Sequence, residues 1–280
     1  MEENNKQLKS FFTRLTSGLV LIILLVVFLY IGGEPLFIVS CVLSIVSLIE
    51  VNRVLKINES RLSYLCLLLT IVYYITIYNY KIDGVLLFLI IMLLSILSFY
   101  VYNHPKYSIK DVSIAIFSIL YVAVMFSFVY LIREQRGIFG RRTVWLIFIA
   151  SWGSDTCAYV VGKLFGKHKL TPILSPKKTI EGAIGGIVGS FLLGALYAYI
   201  VFNTWPAGEG VEISMIRFGV ASAIGAIISQ IGDLTASAIK REYGVKDYGD
   251  IIPGHGGILD RFDSVIFAAP ALYFILRIYR

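Results

Sequence analysis

Apolar runs of membrane-spanning length recur along the 280 residues, near positions 15–31, 35–50, 62–80, 84–102, 111–132, 143–161, 183–203, 215–239 and 264–279. About 20 apolar residues in a helix cross the hydrocarbon core of a bilayer. Backbone N–H and C=O groups in lipid have to be bonded within the segment, and no alternating strand pattern accompanies these runs. The spacing therefore predicts an all-α fold, a polytopic integral membrane bundle of about nine transmembrane helices. The second and last runs are short, and the sixth and eighth carry polar residues. Composition agrees: 58% of residues are hydrophobic, 15% are charged, and the mean hydropathy is +0.80. These values lie outside the range of soluble domains.

The opening MEENNKQLKSFFTRL sets basic residues before an apolar run, as a signal peptide does. That run continues to about Ile31 without a small-residue cleavage pattern, which predicts an uncleaved first span. Cys41, Cys66 and Cys157 each lie inside an apolar stretch, where a thiol packs as a small hydrophobe, so no disulfide or zinc framework follows.

Orientation follows from lysine and arginine. With the N-terminus inside, the inner segments hold Lys6, Lys9, Arg14, Arg53, Lys56, Arg61, Lys106, Lys110, Lys163, Lys167, Lys169, Lys177, Lys178, Lys240, Arg241, Lys246 and Arg261, which is 17 of the 25 basic residues. Lys81, Arg133, Arg136, Arg141, Arg142, Arg217, Arg277 and Arg280 fall outside, four of them in one outer loop at 133–142. The majority favours an N-in, C-out protein of the cytoplasmic (inner) membrane, with its chemistry facing the cytoplasm. The formal charge of +7 fits an anionic partner, although cationic loops also serve topology. One integral domain, 1–280, is expected, with scaffold spans in 1–142 and catalytic spans and cytoplasmic loops in 143–280, because intramembrane carboxylates and glycines concentrate in the last four spans.

Four constellations stand out there. Ser151, Ser154 and Asp155 lie in the inner half of the sixth span, where a carboxylate at the bilayer centre costs about 2.5–3.5 kcal/mol and so has a partner or a task; the plain alternative is a helix-to-helix hydrogen bond. The loop GKLFGKHKLTPILSPKKTIEG brings Lys163, Lys167, Lys169, Lys177 and Lys178 as point charges for phosphates. Ser175 and Thr179 stand ready to cap the next helix or touch an anion, and Glu181 lies in its first turn. Such loops also simply anchor topology and hold anionic headgroups. Gly182, Gly185, Gly186, Gly189 and Gly194 suit close helix packing better than ligand contact. In SQIGDLTASAIKR, Gln230, Asp233, Ser237 and Lys240 share one helical stripe, with Arg241 beside Lys240. The alternative, an internal Asp233–Lys240 pair, spans almost two turns.

PGHGGILDRFDS sets Asp260 and Asp263 three residues apart in the first turn of the ninth span, where the helix dipole favours carboxylates. Such an oxygen pair suits Mg²⁺ with substrate phosphates and retained waters. Gly256 and Gly257 leave a phosphate's path to the backbone unobstructed, and Arg261 is a clamp. An N-capping Asp explains Asp260 alone, and a loop histidine such as His255 is more often hydrogen-bonded than a metal ligand.

Ser237, Lys240, Arg241, Lys246, Asp247, Gly249, Pro253, His255, Gly256, Gly257, Asp260, Arg261 and Asp263 fall in the pattern SxxKRxxxxKDxG followed by PxHGGxxDRxD, thirteen positions over 27 residues. This pattern resembles the signature of the phosphatidate cytidylyltransferase (CDP-diacylglycerol synthase) family, and LSPKKTIEG and SQIGDLTASAIKR look like that family too. The resemblance implies CTP and phosphatidic acid as substrates at the bilayer, CDP-diacylglycerol and pyrophosphate as products in phospholipid biosynthesis, Mg²⁺ as cofactor, and no nucleic acid. On that reading Asp233, Asp260 and Asp263 hold one or two divalent ions, with Asp155 and Glu181 as further candidates. Lys240, Arg241 and Arg261 neutralise phosphates together with Lys177 and Lys178, and Ser175, Thr179, Ser237, Lys246, His255, Gly256 and Gly257 complete the substrate-binding set. A homodimer is left open. The first five spans carry no diagnostic residues.

Four other readings compete. A CTP-dependent polyprenol or phytol kinase shares the nucleotide. A CDP-alcohol phosphotransferase lacks its DGxxAR pattern here. A secondary transporter expects charges near the midplane between related halves, whereas these gather at one face. A lipid-binding scaffold explains the basic loops but not the carboxylates.

Overall fold

In the computed structural model of the chain the described residues are 2–135, 138–204 and 211–278. Among them nine helices run in order: α1 (Glu2–Ile31), α2 (Gly33–Val54), α3 (Arg61–Tyr80), α4 (Asp83–Tyr102), α5 (Ile109–Arg133), α6 (Ile138–Phe165), α7 (Ile180–Thr204), α8 (Val211–Glu242) and α9 (Leu259–Ile278). Seven of these, α2 to α8, contain stretches long and apolar enough to cross a membrane. In α1 the apolar stretch is the shorter Leu15–Ile31, and α9 has 20 residues. The protein is an integral membrane helical bundle, and the expected count of nine holds. Of the basic residues used for orientation, Arg136 and Arg280 lie outside the described residues, as do the side chains of Lys6, Lys9 and Arg14.

Two helices outrun their apolar windows. The second continues past position 50 to Val54 because Glu50 and Asn52 find burial and partners inside protein, being 2% and 0% exposed. The last begins at Leu259, five residues before its apolar run. Within α5 and α6, residues Ile119–Val124 and Ile149–Gly153 form π-helical turns, which insert an extra residue per turn and often mark functional positions. The second of these directly precedes Ser154 and Asp155. Between α6 and α7 the lysine-rich loop forms an antiparallel hairpin of β1 (Lys169–Thr171) and β2 (Ser175–Thr179), a local exception to the all-helical expectation.

The chain divides into two compact units, Met1–Leu131 with Tyr243–Phe262, and Ile132–Glu242 with Asp263–Arg280. In the first, helices that gain nothing from a hydrophobic effect in lipid are held by hydrogen bonds and close contact. Tyr74 Oη meets Ser44 Oγ at 2.6 Å and donates to the Ser40 carbonyl at 3.0 Å, and Tyr73 Oη meets Ser127 Oγ at 2.6 Å. Ser60 caps α3 by accepting from Ser63 N, and Ser108 with Asp111 forms a reciprocal box at the start of α5.

In the second unit α7 lies against α6 and α8 along its glycines. A Cβ on Gly185 would fall 2.5 Å from Val161 Cβ, and one on Gly186 2.8 Å from Ser154 Oγ. Ser190 Oγ, on the same helix, donates to the Ile149 and Ser222 carbonyls. These glycines let backbones approach, as their spacing predicts. A Cβ on Gly189 would fall 2.5 Å from Cys157 Sγ. Gly189→Ala is therefore expected to destabilise the protein by about 1–3 kcal/mol, the usual range for overpacking. Adding Cys157→Ala should restore much of the loss. Thermal unfolding of the single and double variants in detergent checks both outcomes.

Candidate active site

The second unit holds a cavity of ≈ 410 Å³ where the hairpin meets α6, α7 and α8. Its wall includes Asp155 of α6, Ser175, Lys177, Lys178 and Thr179 of β2, and Gln230 and Asp233 of α8. Each arrives there for a local reason. Thr179 Oγ1 accepts from Gly182 N at 3.1 Å and so caps α7, which fixes the end of β2. Gln230 Nε2 donates to Ser154 Oγ at 3.3 Å and to the Ala183 carbonyl at 3.1 Å, tying three helices together one turn before Asp233.

Lys178 is the centre of this arrangement. Its Nζ donates to Asp233 Oδ2, forming an ion pair across 55 residues of sequence. Burial pulls the Lys178 ammonium below the usual lysine range, opposed by the Asp155 and Asp263 carboxylates, which favour its charged form. Carboxylates from α6, α8 and α9 thus act on a single cation. The sequence alternative of an Asp233–Lys240 pair is replaced by this partner.

The other candidates of the second unit have different tasks. Glu181 accepts from Lys167 N at 3.1 Å and from His168 N at 3.2 Å, and its Oε1 meets His168 Nδ1 at 2.6 Å, so its carboxylate closes the base of the hairpin. Ser175 lines the cavity but sits on β2, leaving the cap of α7 to Thr179. Ser237, Lys240 and Arg241 continue α8 past Asp233, beyond the cavity wall.

The signature loop, Tyr243–Phe262, belongs to the first unit. Asp260 Oδ2 accepts from Tyr248 N at 2.8 Å and Gly257 N at 3.0 Å. Ile252 and Gly256 form an isolated bridge, and Gly256 adopts φ +86°, a conformation that favours glycine. His255 is hydrogen-bonded, its Nδ1 2.8 Å from Ser17 Oγ. Lys246 is exposed and Arg261 half-buried. Gly257 was expected to clear a phosphate's path, but its missing side chain instead admits the Glu50 carboxylate: a Cβ there would fall 2.6 Å from Glu50 Oε1.

Of the five carboxylates expected to form one metal cluster, Asp155, Asp233 and Asp263 act on Lys178, Asp260 closes its own loop, and Glu181 closes the hairpin. Among the described residues no three His, Cys, Asp or Glu side chains gather closely enough to hold a metal ion alone. The donor set still fits Mg²⁺, which takes one or two carboxylates and completes its octahedron with substrate phosphates and water. Glu50 escaped the sequence reading. Its signal was a carboxylate at the end of an otherwise apolar second run, SCVLSIVSLIE.

Comparison with known proteins places the chain in a family. The model of the cytidylyltransferase family matches residues 12–279. The chain is 41% identical over 191 residues to the phosphatidate cytidylyltransferase of Staphylococcus aureus strain COL, covering 67% of this chain and 68% of that one. It is 38% identical over 189 residues to that of Staphylococcus saprophyticus and 39% identical over 189 residues to that of Staphylococcus haemolyticus, with the same shares covered. The chain belongs to the cytidylyltransferase family.

Proposed function

We propose that the protein is a phosphatidate cytidylyltransferase, joining CTP and phosphatidic acid into CDP-diacylglycerol and releasing pyrophosphate. The observation that carries this reading is the Lys178–Asp233 ion pair, beside Asp155, in a cavity walled by a basic hairpin. The relatives' printed activity supports the choice of lipid.

A phosphatidate phosphate is already ionised near neutral pH, its second pKa being about 6 by analogy with phosphoserine. No strong base is needed. One of its oxygens attacks the α-phosphorus of CTP, and the bond from that phosphorus to the β-phosphate's bridging oxygen breaks, so pyrophosphate leaves with the electron pair. The barrier is the approach of two anions, which positioning and positive charge lower. Lys177 and Lys178 supply that charge at the cavity, and Lys240, Arg241 and Arg261 are the signature's further cations for phosphate. Asp155 and Asp233, which share the cavity wall, would hold Mg²⁺ together with substrate phosphates, with Asp263 as a further candidate, and the ion when bound would screen the phosphate oxygens. Asp260 keeps the preceding loop closed. The lipid enters sideways with its acyl chains in the inner leaflet, and the nucleotide arrives from the cytoplasm, in keeping with an N-in, C-out chain.

Purified protein given phosphatidic acid, Mg²⁺ and cytidine-labelled CTP should place the label in lipid and release pyrophosphate, with both products lost on adding EDTA and regained with excess Mg²⁺. Label confined to the aqueous phase, with only the γ-phosphate moved to lipid, would make the protein a kinase instead. Asp233→Asn should reduce kcat about 10²-fold or more while the protein stays monodisperse in detergent. Near-parental turnover by this variant would remove Asp233 from the proposed site.

A further inference from the structure

We infer that Glu50 is a positioning residue for the reaction, a carboxylate that clasps the signature loop and sets the start of α9 from another helix. Glu50 is 2% exposed, on α2, and more than 200 residues from its partners in sequence. Its Oε1 accepts from Ile258 N and its Oε2 from Leu259 N, both at 2.9 Å. Ile258 directly precedes α9 and has no side-chain acceptor, so the first orphan N–H groups of that helix are satisfied by Glu50. This is why α9 begins well before its apolar run.

The fit extends to the glycines. A Cβ on Gly249 or on Gly257 would fall 2.6 Å from Glu50 Oε1, so the carboxylate sits in a slot bounded by both ends of the signature loop. Asp260 Oδ2 bonds Tyr248 N and Gly257 N on the same loop. Four backbone N–H groups between positions 248 and 259 thus rest on two carboxylates. Asp260 and Arg261 follow Leu259 directly on the same helix, so fixing the helix start fixes the azimuth and height at which these two signature residues are presented. The inference rests on the cytidylyltransferase reading for what the loop positions, but not for the clasp itself.

The test uses full-length protein in detergent. Glutamine keeps one acceptor oxygen and turns an NH₂ toward the other backbone N–H. Glu50→Gln should lower kcat per monodisperse molecule about 10–100-fold, the usual range for residues that orient functional groups, with a smaller change in the KM for CTP. Amide hydrogen exchange in the segment 248–259 should accelerate in the same variant. Gly257→Ala should reproduce both effects, and its combination with Glu50→Ala should cost no more than the larger single change, since both disturb one contact. A purely structural role would lower the yield of folded protein and leave kcat and KM of the folded fraction unchanged. That result, unchanged exchange at 248–259, or multiplicative losses in the double variant would overturn the inference. A parental protein that exchanges as expected yet transfers no cytidyl group would overturn the functional reading and the catalytic role of Glu50, leaving the clasp.

Discussion

A carboxylate placed among apolar helices has to be matched, because an unpaired charge there costs several kcal/mol. The protein matches its acidic groups in two ways. Glu181 meets the His168 ring as well as two backbone N–H groups at the hairpin base, whereas Glu50 and Asp260 are held by backbone N–H groups of the signature loop. Such donors cannot leave without unfolding the segment that carries them. Asp233 instead faces the ammonium of Lys178, on a flexible four-carbon stem, with Asp155 and Asp263 acting on the same charge. A side-chain cation of this kind can swing aside or share its place with another cation. Carboxylates matched by backbone build the fold; on the proposed reading, those matched by a lysine side chain are the ones that take part in the chemistry.

The membrane architecture was legible because its cause is local. A run of apolar residues demands a helix whatever surrounds it, and the nine runs became nine helices. What failed were the edges. The apolar spacing puts the second run at 35–50, yet Asn52 Nδ2 donates to Ser63 Oγ at 3.0 Å and Glu50 finds its donors elsewhere, so the helix continues to Val54. The hairpin in LTPILSPKKT was hidden by two prolines, which short edge strands tolerate. The π-helical turn before Ser154 has no composition signal at all.

The site was half legible for the same reason. The stripe Gln230–Asp233 follows from helical spacing, and both residues do line the cavity. Which cation Asp233 meets depends on where a strand 55 residues away is placed by the Thr179 cap, and spacing along α8 says nothing of that. Asp260 and Asp263 read as an equivalent pair, yet one faces its own loop and the other acts on Lys178. Gly257 read as space for a ligand, whereas the space is filled by a side chain from α2.

The distribution of charge around the cavity bears on how a nucleotide would enter it. Lys163 and Lys177 are the exposed basic members of its wall, while Asp155, Asp233 and Lys178 are half-buried. A triphosphate drawn by the outer lysines would meet carboxylates farther in, and alone it would be repelled. Accompanied by a divalent cation it presents positive charge to those carboxylates and negative charge to the lysines, which is complementary at both depths. On the proposed reading the acidic groups would discriminate against the bare polyanion, and the hairpin against the bare cation. Neither set of residues would then have to be strongly selective by itself, because only the ion and phosphates together would satisfy both.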